Sequence, residues 1–365
     1  MSEKEKIANA CPPDSKRRGA VGGQAIIEGV MMRSKEHTAI AVRRYDNKKI
    51  VVSRKGNSSV SDKFKFLKWP IIRGVVNFIE SMILSFSTIT EGTDMLGLDE
   101  ETENPSKFDE WLEKHCGKWM MPIVTAVSVV LGVFLSVALF IFLPTFFGNL
   151  VIDLFDIYGD LAGMWRSIIE GILKVIIFIA YIWLTAFIPD MKRVYQYHGA
   201  EHKSIFCYEA GLELNVENVK KQSRFHPRCG TSFMFAMIIL SIAVGIIFLW
   251  AIETVWLRSL LKIALLPITV GIGYEFIRYA GKHDNAVIRA LSAPGLWMQN
   301  LTTKEPDDEI IEVAITSLKC ALPEDFPGFY EECLAANEEE ESEKSVEDQE
   351  NSEENGEPVE ENIEA

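Results

Sequence analysis

Cysteine and histidine are scarce in this chain, with six of each among 365 residues. The cysteines (Cys11, Cys116, Cys207, Cys229, Cys320, Cys333) lie far apart and form no C-x-x-C pair, so no disulfide framework is expected. The glycines of GGQAIIEGVMMRS lack the spacing of a P-loop or a dinucleotide fingerprint, which excludes a nucleotide site there. The first residues, MSEKEKIANACPPDSKRRG, hold no apolar run of the signal-peptide kind, so no cleavable leader is expected. No internal repeat is visible. A surplus of positive charge is also missing: the formal net charge is −15, and fourteen acids against one Lys from Glu338 onward carry −13 of it, leaving −2 for the rest. That tail has no apolar periodicity and reads as disordered, a solubilising segment or an acidic docking tail. No nucleic-acid partner is expected.

What the chain has in quantity is apolar residues, 48% of the total, gathered into long runs. A bilayer takes about 20 residues to cross. Runs over 121–147, 172–189, 233–252 and 260–277 meet that length, which predicts an all-α membrane domain of four spans over 121–277. Lys192, Arg193, Lys203, Lys220, Lys221, Arg224 and Arg228 crowd the loop over 190–232, whereas the loop between the first two runs holds only Arg166. The basic loop and both termini are therefore expected in the cytosol. The apolar helix predicted over 69–92 carries Arg73, Asn77 and Glu80. If it crossed, the basic loop would face outward, so an interfacial helix is the preferred reading and a re-entrant helix the alternative. Ahead of it, residues 1–68 form a cytosolic region in which 37–56 reads as two short strands around Asp46–Asn47. Residues 91–111 read as a flexible acidic linker inside a region spanning 69–120. A cytosolic helical region covers 278–336, with a stripe of Ile310, Ile311, Ala314 and Leu318, and the acidic tail covers 337–365.

One stretch stands out at the membrane edge. YQYHGAEHKSIFCYEAG holds His198, Glu201 and His202 in the inverted-zincin order H-x-x-E-H. Positions i and i+4 share a helix face, so the two imidazoles can converge on one divalent ion, with zinc favoured. Glu201, one step round, is placed to act as general base. The alternative is a pair of interfacial histidines on a helix end. A third ligand must come from elsewhere. Glu275 is the first choice, because a carboxylate within a span is costly without a function; otherwise it pairs with Arg278 three residues on. His226 and Cys229 in RFHPRCGTSF are reserve ligands, or else loop anchors. Arg228 beside them can bind an anionic headgroup or phosphate. Glu209 shares the histidine face but lies about 10 Å further along the axis, a structural role. Gln24 and Glu28 reach a site only if their loop folds over the bundle, and His283 and Asp284 follow the last span.

GGQAIIEGVMMRS, YHGAEHKSIFCYEAG, HPRCGTSF and LSAPGLWMQNLTTKEPDD, in this order over Gly19–Leu322, together resemble the YqhQ-like family of bacterial multi-pass membrane proteins. That family is a domain of unknown function described as a metal-dependent enzyme, so the resemblance implies a bacterial plasma-membrane setting and names no substrate. The expected function is a membrane-embedded metal-dependent hydrolase, bounded by membrane lipids and acting on a peptide or lipid-linked substrate. Metal ligands His198, His202 and Glu275 and base Glu201 would carry it. The alternative is a non-enzymatic scaffold in which Cys229 and His226 close a structural metal site. A transporter is disfavoured because the spans show neither paired broken helices nor charge at mid-depth.

Overall fold

The computed structural model describes residues 17–60, 64–97, 120–157, 159, 161–280 and 286–337. The acidic tail, most of the acidic linker, and His283 and Asp284 lie outside them. Among the described residues, four strands come first: β1 (Gly22–Ile26), β2 (Gly29–Arg33), β3 (His37–Arg43) and β4 (Ile50–Gly56). The helices follow as α1 (Ile72–Asp94), α2 (Met120–Val137), α3 (Leu143–Leu154), α4 (Ala162–Thr185), α5 (Pro189–Glu209), the short α6 (Val216–Lys220), α7 (Gly230–Phe248), α8 (Val255–Ala280), α9 (Ala286–Thr302) and α10 (Asp308–Ala321).

The strands form one antiparallel sheet in sequence order, twice the expected hairpin. Ile26 pairs with Gly29, so Ile27 and Glu28 make a two-residue turn. Glu28 takes a left-handed φ of 49°, uncommon outside glycine. Its carboxylate is fixed there by Arg193 at 2.6 Å and by the Tyr197 hydroxyl at 3.1 Å. β2 and β3 are buried on both faces, which is why VMM and TAIAV read as apolar runs rather than alternation. On one face Val30, Met32, Ala39 and Ala41 share a core with Ile310, Ile311, Ala314 and Leu318, the stripe predicted for α10. On the other, Ile26, Met31, Ile40 and Val42 pack with Leu96. Leu96 falls in the stretch expected to be a flexible linker. That expectation is corrected for 91–97, because the sheet face needs an apolar cover.

Among the described residues, four helices are long and apolar enough to cross a membrane: Ile72–Asp94, Ile123–Leu154, Ala162–Thr185 and Val255–Phe276. Three of them cover expected runs. The remaining expected run, 233–252, falls on the 19-residue apolar helix α7, which ends where the chain turns at Leu249, whose carbonyl, with that of Ile252, accepts from Arg258. α1 joins the set because its polar residues are matched. Arg73 forks onto Glu275, Asn77 donates to Tyr274 Oη at 3.1 Å, and Glu80 accepts from Ser59 and from the Val60 N–H. α2 and α3 run on through a π turn at Ala138–Phe142, where the Leu143 N–H bonds the Ala138 carbonyl just ahead of Pro144, which has no N–H to donate.

The bundle's direction follows from Arg258 near the start of α8. It is fully buried and bonds Glu170 and Ser167 in the first half of α4, so α4 and α8 begin at one end and finish at the other. α1 starts beside the end of α8, where Gly74 lies against Gly271. A Cβ on Gly74 would stand 2.9 Å from the Gly271 Cα, so the two backbones touch. α1 finishes under the sheet, with Gly92 against Ile26. The sheet packs on α5, which follows the end of α4. Both ends of α1 are thus at the same end of the bundle. The expectation of spans without charge at depth is corrected as well. Lys262 reaches Glu170 and Thr145, each at 2.6 Å, and Lys174, midway along α4, donates to Ser241 at 3.1 Å. A membrane helix keeps such groups only where they are paired inside protein.

Candidate metal centre

The H-x-x-E-H stretch lies on α5, as its spacing predicts. Pro189 at the first turn starts the helix and Asp190 favours its N-terminus. One side of α5 packs against β1, β2 and α10, and the segment 302–306 crosses it. Gly199 permits that crossing: a Cβ there would sit 2.1 Å from the Lys304 carbonyl oxygen.

The crossing fixes the histidines. His198 Nδ1 lies 2.9 Å from the Thr302 carbonyl, and His202 Nδ1 lies 2.6 Å from the Arg224 carbonyl. A carbonyl only accepts, so each Nδ1 carries the proton and each Nε2 keeps its lone pair. The rings stand 4.5 Å apart, centroid to centroid. His198 Nε2 meets Cys229 Sγ at 3.2 Å. Ligand atoms of His198, His202 and Cys229 all lie within 4.8 Å of one another. A tetrahedral ion with bonds of about 2.0–2.3 Å spaces its ligands about 3.4–3.7 Å apart, within reach of small side-chain rotations.

Glu201 sits beside this group, with a carboxylate oxygen 4.0 Å from His198 Nε2. It is buried, and burial raises its pKa above the ordinary value of 4.5. The His198 ring and a hydrogen bond from the Gly23 N–H act in the opposite direction. The N-terminal loop therefore does fold over this site. A Cβ on Gly23 would stand 2.7 Å from Glu201 Cγ, so only glycine fits between the strand and the carboxylate. Glu28 turns instead to Arg193 and Tyr197, holding β1 on α5.

The structure separates the other expected ligands from the pair. Glu275, the first choice for third ligand, is bound by Arg73 at 2.5 Å on α1 and is not in the group. The reason is the contact of α1 with α8 over Gly74 and Gly271, which sets Arg73 beside that carboxylate. His226 is buried 5.4 Å from the His202 ring. Its Nδ1 faces the Arg228 N–H and its Nε2 the Arg228 guanidinium, both at 3.3 Å. Burial, then the neighbouring His202, Arg228 and His198, holds it neutral well below the usual 6.5. It anchors the loop: buried Gln299 accepts from the His226 N–H and donates to its carbonyl, each at 2.7 Å. Glu209 binds Arg228 and the Gly19 N–H, the structural part expected of it, and Gln24 lies on β1. The sequence reading missed Gln299, Thr302 and the Arg224 carbonyl. For Gln299 and Thr302 the signal was the QNLTT of the fourth family stretch.

A family model described as "Protein of unknown function (DUF1385)" matches residues 69–324. The chain is 38% identical over 304 residues to the "Uncharacterized protein YqhQ" of Bacillus subtilis (strain 168), covering 82% of this chain and 91% of that protein. No solved structure matches. The centre is thus a feature of a chain that belongs to the DUF1385 family, the YqhQ-like proteins of unknown function.

Proposed function

We propose that the chain is a membrane-embedded metal-dependent hydrolase acting on a peptide or lipid-linked substrate, its centre held by His198, His202 and Cys229. The observation that carries this reading is the pair of Nδ1–H bonds to backbone carbonyls. They leave two Nε2 lone pairs beside a sulfur, a donor set that suits zinc. Three protein ligands leave one coordination position open, the arrangement of catalytic rather than structural sites. A divalent ion there supplies Lewis acidity to a substrate carbonyl or phosphoryl oxygen. Glu201 takes the proton of the attacking water and returns it to the leaving group. The Gly23 N–H orients its carboxylate, and the buried walls exclude bulk solvent. The basic loop between α4 and α7 supports a cytosolic placement of the centre in a bacterial plasma membrane.

Metal analysis of the purified full chain tests this. His198→Ala, His202→Ala and Cys229→Ser should each weaken metal retention about 10-fold or more. Glu275→Ala should leave it unchanged. Glu201→Gln should keep the metal and lose the activity. If Glu201→Gln released the metal as fully as the histidine changes, Glu201 would be a fourth ligand and the site a closed structural one.

A further inference from the structure

A cleft of about 1260 Å³ opens beside the centre, between the N-terminal sheet and α1. Arg17, Arg18, Arg33, Lys35 and Arg228 line it, against the acids Glu36, Glu324 and Asp325. Some of this charge is committed: Arg228 binds Glu209, and Arg17 lies 5.0 Å over the Tyr208 ring. Arg18, Arg33 and Lys35 have no charged or hydrogen-bonding partner among the described residues. The wall toward the centre is Gly22 and Gly23. Both are exposed, and a Cβ on Gly22 would meet nothing within 4 Å. Behind Gly23 stands Glu201, so only a strand of bare backbone separates the cleft from the proposed base.

The opposite wall is Ser81, Leu84 and Ser85 of α1. At 100° per residue, Phe78, Ile89 and Met82 come next around the helix from Ser85. They are 37%, 47% and 58% exposed, and Ile83 and Phe86 beyond them are 65% and 53% exposed. A cationic recess thus runs without a break into an uncovered apolar surface, on a helix whose two ends lie at the same end of the bundle. A soluble anion would use the first half of this surface and leave the second bare.

We infer that the cleft binds the net-anionic, phosphate-bearing headgroup of a membrane amphiphile, whose chains lie along α1, and that this class supplies the substrate. The inference rests on the hydrolase reading for the word substrate, but the binding itself does not require a metal. Arg18, Arg33 and Lys35 hold the phosphate, the serines of α1 accept or donate at its rim, and the headgroup rests on the Gly22–Gly23 strand, which contacts Glu201 behind it.

The test uses the purified full chain in a neutral detergent, titrated with dioctanoyl phosphatidic acid, dioctanoyl phosphatidylcholine and inorganic phosphate, with thermophoresis as readout. Phosphatidic acid should bind at least tenfold tighter than phosphatidylcholine. Arg18→Ser/Arg33→Ser/Lys35→Ser should lose at least tenfold of that affinity while keeping its metal content. Excess inorganic phosphate should not displace the lipid. His198→Ala should lose metal and keep lipid affinity, so that failure of the metal reading and failure of this one are told apart. Equal binding of the two lipids, or an unchanged triple variant, would overturn the inference. Displacement by inorganic phosphate at comparable concentration would replace the lipid by a small soluble anion. If the triple variant does not fold, Lys35→Ser alone must weaken binding about threefold, and no loss there overturns the inference equally.

Discussion

His226 shows how one residue can be fixed for structure beside the candidate site. Its backbone is clamped by Gln299, and its ring is kept neutral by burial against His202 and Arg228. In the unfolded chain it protonates near 6.5, and in the folded chain only well below that. Within this window the unfolded state binds more protons, so stability is complete above about pH 6.5 and is lost as pH falls, by up to about 1.4 kcal/mol per pH unit. Thermal unfolding of the metal-free chain in detergent at pH 7.5 and 5.5 should show a clear drop for the wild type and a smaller one for His226→Gln. Equal drops would remove His226 as the cause. The sequence names His226 as a reserve ligand because residue type is all that spacing shows. What decides its part is which donors face its nitrogens, and both come from Arg228.

Elements differ in how far the sequence announces them. α10 is legible because Ile310, Ile311, Ala314 and Leu318 repeat at helical spacing above an N-cap, Asp307, which accepts from the Ile310 N–H at 2.9 Å. β1 and β2 are not, because their glycines suggest turns and burial on both faces erases alternation. α1 is legible as a helix but not in its placement, since Arg73, Asn77 and Glu80 look prohibitive until their partners on α8 and near β4 are known. The candidate site divides in the same way. His198, Glu201 and His202 are set by one helix, whereas that Cys229 rather than Glu275 lies beside them depends on how α7 and α8 pack. The α1–α8 contact can be measured. Gly271→Leu forces a side chain into the Ile71 backbone, whose oxygen would lie 2.7 Å from the new Cβ, while Gly132 on α2 has nothing within 4 Å. Gly271→Leu should cost about 1–3 kcal/mol and lower the melting temperature in detergent, with Gly132→Leu close to wild type. Equal melting of the two would show that α1 is not seated on α8.

Across the whole molecule, the bundle is capped at one end by a sheet and helix layer that carries the centre. The length and composition of α1 suit a span, but its ends meet the end of α8 and the underside of the sheet. On this geometry both ends are expected on the same side. Single cysteines at Trp69, Asp94 and Asn218, in a chain whose native cysteines are replaced, should label with a membrane-impermeant reagent from one side only, and a cysteine at Gly159 from the other. Labelling of Trp69 and Asp94 from opposite sides would make α1 a full span and reverse the placement of everything before it.

The bond from His198 to the Thr302 carbonyl joins residues 104 positions apart, which has a consequence for biosynthesis. At about 5–20 residues per second, the ribosome needs on the order of 5–20 s after His198 to make that carbonyl, and in the interval two apolar helices must leave the tunnel and enter the lipid. The nascent chain therefore holds its imidazoles unoriented through that interval. On the proposed metal reading, loading in the proper geometry waits until α9 has closed over the site, and occupancy would report completed membrane insertion.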